Sequence, residues 1–241
     1  MQADKKVFAD NPAVATAFAR DFVSWLDSQS KPKVTVSLSG GSTPKLLFEI
    51  LARDFADQVD WSKVHLFWGD ERCVPPEDSD SNFGVCKDLL LDKVAIPEEN
   101  IHRVIGESDP ESEAVRYGEK MKEHCELNEA GLPVLDLLIL GMGGDGHTAS
   151  IFPHQMELLK SDAICAVATH PESGQRRVSM TGPVLCAASK IDFLVTGSGK
   201  AGVIAEIFGK TGDWETYPTS HITSAGPITF YLDEGAAGQL G

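Results

Sequence analysis

Leu135–Ser150, LDLLILGMGGDGHTAS, is the stretch from which the rest of the chain can be placed. Four consecutive apolar residues, Leu137 to Leu140, with Leu135 just ahead of Asp136, stop at a glycine-dense turn. An apolar run of that length bounded by glycines predicts a strand covered on both faces, as inside a parallel sheet. Ligands of such sheets bind beyond the carboxyl ends of the strands. Here that end carries Asp145 and His147, a titratable pair two residues apart. Gly141, Gly143, Gly144 and Gly146 give the turn its backbone freedom.

Gly141, Gly143 and Gly146 also satisfy G-x-G-x-x-G after a strand, the pattern of dinucleotide-binding turns. That fingerprint opens a long helix, whereas Pro153 follows only seven residues after Gly146. Asp145 would moreover repel a pyrophosphate. A nucleotide is therefore not expected at this turn.

The 241 residues, 42% hydrophobic, suit one large α/β domain spanning 1–241. No run of about 18 apolar residues is present, so no membrane span is predicted. The opening MQADKKVFADNP lacks an apolar signal core, and the expected location is cytoplasmic. Cys73, Cys86, Cys125, Cys165 and Cys186 are odd in number and form no C-x-x-C pair; they read as free thiols. A formal net charge of −15 argues against nucleic acid as a partner. It weighs less against a small anion, because the distant field fades beyond about 8 Å at physiological salt.

Working outward, Asn11-Pro12 and the following AVATAFARDFVSWLDS predict a capped amphipathic helix, with Asn11 as the cap. KVTVSL (33–38) predicts a strand leading into Ser39-Gly40-Gly41-Ser42-Thr43-Pro44 and then a helix capped by Ser42 or Thr43. Free amides at that helix start, with Gly40, Gly41, Ser42 and Thr43, make a phosphate cradle. It is not a Walker A loop, since G-x-x-x-x-G-K-[ST] is absent. VHLFW (64–68) reads as the next strand, ending in the charged turn Gly69-Asp70-Glu71-Arg72. An acidic, proline-rich loop follows, and then Ser81-Asn82 capping the helix FGVCKDLLLDKV.

IHRVIG (101–106) reads as a short strand, and Asp109-Pro110 starts a charged helix closed by Gly131, an outer layer with solvated charges. Beyond the opening stretch, Ile164–Ala168 predicts a strand; Arg176-Arg177 stands before a strand or turn and a helix from Pro183. KIDFLVT (190–196) predicts a strand ending at Gly197-Ser198-Gly199-Lys200, followed by the helix AGVIAEIFGK. Lys200 at a helix start opposes the helix dipole, a placement that makes sense if it holds an anion. PITFYLD is the last strand, with EGAAGQLG a tail or short helical stub. The alternation of strand and helix, with no linker or repeat, predicts a single doubly wound, mostly parallel sheet with helices on both faces, Rossmann-like in architecture.

Strand ends at 38, 68, 140 and 196 would share one rim. They would gather Gly40, Gly41, Ser42, Thr43, Asp70, Arg72, Asp145, His147 and Lys200 around a phosphorylated metabolite, its reacting carbon near His147. No G-x-S-x-G elbow, H-E-x-x-H or clustered His/Cys set is visible, which leaves general-base chemistry.

SGGSTP (39–44), GDER with VP and a later SN (69–82), and GMGGDGHTASIFP (141–153) resemble blocks of the 6-phosphogluconolactonases, in the glucosamine-6-phosphate isomerase/deaminase superfamily. RRVSMT (176–181) and GSGKA (197–201) fit the same order, so the resemblance spans residues 34 to 208. It implies hydrolysis of 6-phospho-D-glucono-1,5-lactone to 6-phosphogluconate in the oxidative pentose phosphate pathway, without a cofactor or metal. It implies a phosphosugar lactone as the small-molecule partner; the expected assembly is a monomer or homodimer. On this resemblance His147 would deprotonate the attacking water, Asp145 would orient the imidazole or its loop, and Arg72 would stabilise charge on the substrate oxygen. The phosphate would rest on Gly40, Gly41, Ser42 and Thr43, with Lys200 and either Arg176 or Arg177 as charged partners.

Two alternatives stand beside it. The superfamily's amino-sugar-phosphate deaminases resemble this chain at the SGG loop and the DGH turn, but carry a tyrosine after Asp-Glu and a glutamate late in the histidine block. Those positions here hold Arg72 and Phe152. A non-catalytic sugar-phosphate-binding protein is the other, and it has no need of both His147 and Arg72.

Overall fold

The structure is a computed structural model describing residues 3–241. Its first half contains β1 (Asp4–Phe8), α1 (Asn11–Asp27), β2 (Val34–Leu38), α2 (Ser42–Asp54), β3 (Val64–Trp68), β4 (Asp70–Arg72), α3 (Asn82–Leu89) and α4 (Pro110–His124). Two short strands, β5 (Glu126–Leu127) and β6 (Pro133–Val134), precede β7 (Leu137–Leu140), β8 (Cys165–Thr169) and β9 (Arg176–Met180). The chain closes with α5 (Gly182–Ala187), β10 (Ile191–Val195), α6 (Ala201–Gly209), β11 (Ile228–Asp233) and α7 (Glu234–Ala237).

Six strands form one sheet in the order β1-β11-β10-β7-β2-β3, and every neighbouring pair is parallel. The direction of winding reverses between β2 and β7, which creates a crevice beyond their carboxyl ends. All four residues of β7 are buried, as the unbroken apolar run requires. Its side chains alternate between two cores. Leu137 and Ile139 pack with α1 and α2 residues such as Phe18 and Leu47. Leu138 and Leu140 pack on the opposite face with Tyr117, Val184 and Ile204. Covering both faces of a parallel sheet in this way is what its apolar strands demand.

Several local expectations are corrected. Asp10, not Asn11, caps α1, its carboxylate accepting the Ala13 N–H at 2.8 Å. Gly41, with φ at 115°, stands at the N-cap of α2, and neither Ser42 nor Thr43 gives it a side-chain cap. β1 was not legible because four of its five residues are exposed; its parallel ladder to β11 makes it a strand of the sheet. IHRVIG is not a strand. Ile101 alone bridges Leu66, and the chain then turns so that the Ile105 N–H meets the buried carboxylate of Glu113 at 2.7 Å. That carboxylate also corrects the reading of the α4 charges as solvated: Glu113 is 2% exposed, while Ala114, Tyr117 and Met121 are buried beneath the helix. α4 ends at His124, and Gly131 sits between the paired strands β5 and β6. The α3 helix stops at Leu89, with a short 3₁₀ turn over Leu91–Lys93 completing the predicted segment.

The largest correction is the charged turn after β3. Asp70–Arg72 is a strand, pairing antiparallel with β9, which pairs in turn with β8 to form a 3-stranded sheet. At the junction, the buried Tyr117 hydroxyl accepts the Trp68 N–H at 2.8 Å and donates to the Trp68 carbonyl at 3.0 Å. One side chain thus satisfies both backbone groups of the last β3 residue. Tyr117→Phe leaves that buried N–H and carbonyl unpaired and is expected to destabilise the fold by about 1–3 kcal/mol. Urea unfolding followed by tryptophan fluorescence checks this.

Candidate active site

A cavity of about 180 Å³ opens at the β2/β7 crevice. The β2–α2 turn lines it with Gly40, Gly41, Ser42 and Thr43. The small sheet contributes Asp70, Arg72 and Arg177, the turn after β7 contributes His147, and Lys200 stands at the start of α6. Asp145 does not border the cavity but lies behind the imidazole. The candidate residues, drawn from five separate segments, therefore meet in one place.

His147 and Asp145 form a short pair: Nδ1 lies 2.6 Å from Oδ1 of Asp145, which also accepts the His147 N–H at 3.2 Å. Burial raises the Asp145 carboxyl, but the bonds and charge from His147 outweigh it and hold the pKa below its ordinary value. With Nδ1–H donating to that carboxylate, Nε2 keeps its lone pair for an incoming proton. The ring is tilted against the buried Phe152, centroid to centroid 4.8 Å. Just beyond it, Ala149 takes a left-handed φ of 46°, an uncommon conformation for a side chain with a Cβ. Around it the turn is fixed by Thr148 Oγ1 donating to the Gly141 carbonyl at 2.9 Å and by the Ser150 N–H donating to Ser179 Oγ at 3.1 Å.

Arg72 and Arg177 are directly opposite one another in the β4–β9 ladder. Like charges in that position repel. Nε of each guanidinium is buried without a hydrogen-bond partner. Burial, assisted by the charge of Arg72 but countered by Asp70, pulls the Arg177 pKa below its ordinary value. Asp70, 6% exposed, accepts from Ser150 Oγ at 2.7 Å and stands 4.0 Å from Nη1 of Arg177. Arg177 also lies over the Phe152 ring at 5.6 Å. Arg176 points elsewhere: it is exposed and pairs with Glu111. Of the two adjacent arginines, only Arg177 faces the cavity. Lys200 adds a third cation, its pKa lowered by burial against an opposing contribution from Asp233. Oγ1 of Thr43 lies 3.0 Å from Oγ1 of Thr196, joining the cradle to the end of β10.

Three contributors escaped the sequence reading. Phe152 supports both the imidazole and the Arg177 guanidinium. Ser150 bridges Asp70 and Arg177, donating to the first and accepting from Nη1 of the second at 3.4 Å. Asn82 borders the cavity and donates from Nδ2 to the Asp70 carbonyl at 3.0 Å. Its place in the motif block was a signal, but its partner lies on a strand read as a turn. Glu71 secures this corner: its buried carboxylate accepts the N–H groups of Arg72, Asn82 and Phe83 at 2.7, 2.8 and 2.7 Å. A Cβ at Gly40 would come within 1.9 Å of Asn82 Oδ1. Gly40→Ala is therefore expected to displace Asn82 and cut kcat/KM on the order of tenfold or more, while circular dichroism shows the chain still folded.

A sheet crevice lined by three cations and an imidazole, the imidazole backed by a carboxylate, can hold a small anion and accept a proton. The family model for glucosamine-6-phosphate isomerases/6-phosphogluconolactonase matches residues 9–230, and the chain belongs to that family. Its relatives include the 6-phosphogluconolactonase of Haemophilus influenzae, 44% identical over 222 residues, which cover 90% of this chain and 91% of that one. The 6-phosphogluconolactonase of Treponema pallidum is 41% identical over 203 residues, 84% of this chain and 83% of its own. The solved 6-phosphogluconolactonase of Trypanosoma brucei superposes with a TM-score of 0.86 at 25% identity, over 100% of this chain and 99% of that one. The doubly wound α/β fold is thus the one these enzymes share. No helix among the described residues is long and apolar enough to cross a membrane.

Proposed function

We propose that this chain hydrolyses 6-phospho-D-glucono-1,5-lactone to 6-phosphogluconate, the second step of the oxidative pentose phosphate pathway. The observation that carries the reading is the pair of buried, unpartnered arginine Nε atoms, on residues opposite one another in the β4–β9 ladder, in the same cavity that His147 lines. Two like charges side by side, Arg177 buried and Arg72 half-buried, each with an unpartnered buried Nε, favour an anion between or above them. The phosphate would rest on the α2 N-terminus with Arg177 and Lys200, which leaves Arg72 to face the lactone carbonyl.

Nε2 of His147 would take a proton from water as its oxygen bonds to the carbonyl carbon. Arg72 would stabilise the resulting oxyanion, and Asp145 the imidazolium. Collapse breaks the bond from the carbonyl carbon to the ring oxygen. The imidazolium then returns its proton to that leaving oxygen, so that water is added across the ester. Phe152 supports this reading over amino-sugar deamination, since it puts an apolar, fully buried ring where that branch has an acid.

A coupled assay with freshly generated lactone, corrected for its spontaneous opening, tests the reading. Rapid acid release is expected, with no ammonia from glucosamine 6-phosphate. Binding of the lactone without turnover would instead support a sensor, and ammonia release a deaminase.

A further inference from the structure

His65, His102 and His124 are far apart in the chain, and the sequence shows no histidine cluster; the fold makes one. His65 lies on the edge strand β3. His102 is brought beside it because its N–H donates to the Leu66 carbonyl at 2.9 Å, next to the Ile101 bridge. His124 is the last residue of α4. We propose that these three imidazoles form a binding site for a divalent transition-metal ion of the zinc class, separate from the cavity above and independent of the lactonase reading.

Each histidine offers a ring nitrogen within 4.8 Å of those of the other two. Nδ1 of His65 and Nε2 of His102 are 3.0 Å apart. Tetrahedral zinc with ligand nitrogens at about 2.0–2.1 Å needs nitrogens about 3.3–3.4 Å from one another. One pair is therefore close to ligand spacing, and the rest of the adjustment falls to the partly exposed His124. That residue is incompletely satisfied: its Nε2 is buried with no hydrogen-bond partner, and the nearest carboxylate oxygen, Oε1 of Glu123, is 3.6 Å away.

The environment also favours the ligand-competent form. A metal takes neutral imidazole. Burial, with further help from neighbouring cations, pulls His65 down to about 4 and His102 to about 3, and lowers His124 as well. Among the charges that reach the cluster, Lys33 and Lys120 oppose a cation and Glu99 and Glu123 favour one. Affinity would rest on the three nitrogen donors, with water completing the coordination. His65 is three residues before Trp68 at the sheet's ligand-binding rim, about 10 Å along the strand. None of the three lines the cavity. A bound ion would tie β3, the segment after Ile101 and the end of α4 together in the native chain only, and so raise its melting temperature.

The test uses the full-length, tag-free chain stripped with chelator. ZnCl₂ is titrated by calorimetry, and CoCl₂ is followed by visible absorption. One ion per chain, a tetrahedral cobalt spectrum and a zinc-dependent rise in Tm are expected. His124→Ala and His65→Gln should each weaken uptake on the order of a hundredfold, with circular dichroism confirming that both remain folded. His147→Ala should bind as wild type. No saturable uptake would overturn the proposal and leave a stacked histidine set whose role is packing. Wild-type uptake in both cluster variants, or uptake lost in His147→Ala, would overturn it equally by placing the ion elsewhere.

Discussion

His147→Ala is expected to lower kcat by a factor on the order of 10² to 10⁴, with KM within a few-fold of wild type. The size follows from what the side chain would do and from what would remain without it. An attacking water would lose its proton acceptor, while Arg177, Lys200 and the α2 amides would still hold the phosphate. The imidazole lies at the cavity edge and its ring is braced by Phe152, so its removal opens space without unpacking a core. Asp145→Asn should give a smaller loss with the same signature, because the neutral amide stabilises an imidazolium less well than the carboxylate 2.6 Å from Nδ1. Steady-state rates corrected for spontaneous lactone opening check both. Near-normal kcat in His147→Ala would remove the residue from the chemistry.

Lys200→Met is expected to act in the opposite way, raising KM on the order of 10- to 100-fold while kcat changes little. A charge-assisted hydrogen bond contributes about 1.5–3 kcal/mol, and each 1.4 kcal/mol is tenfold in binding. Lys200 suits the test better than Arg177. Truncating Arg177 would also strip the buried Asp70 of the cation 4.0 Å away and would unsettle the β4–β9 corner. Burial already weakens the protonated form of Lys200, so losing the ammonium costs the free protein little. Turnover of unphosphorylated gluconolactone is the control. It should be slow in wild type and unaffected by Lys200→Met. A fall in both activities would mean that Lys200 does not act through the phosphate.

Five of the main sheet's six strands were legible because they advertise themselves. LLIL between Asp136 and a glycine turn can hardly be anything but a strand covered on both faces, and KIDFLVT and PITFYLD carry the same signal. The rim followed from the rule that ligands bind where such strands end, which brought His147, Arg72 and Lys200 together before any geometry was known. What could not be read depended on pairing at a distance. DER has the composition of a solvated turn, and only the ladder to β9 makes it a strand and sets Arg72 opposite Arg177. That register also separates Arg177, in the cavity, from Arg176, which faces solvent. Adjacent arginines of a strand point to opposite faces, but the choice of face needed the partner strand. The histidine cluster escaped for a similar reason: it exists only because one bridge residue, Ile101, draws His102 to the sheet edge.

Arg72 and Arg177 owe the spacing of their backbones to hydrogen-bonded rungs rather than to a flexible loop. A ladder holds opposite Cα atoms about 4.5–5.5 Å apart, and it does so until the strands themselves part. The imidazole sits in no such ladder; it hangs on a glycine-rich turn closed by isolated backbone bonds, among them the Gly143 N–H to the His147 carbonyl at 2.9 Å, and by a few side-chain bonds. As the molecule is warmed or softened by denaturant, its hold on the anion should therefore outlast its ability to move a proton. Such an enzyme would fall silent while still occupied.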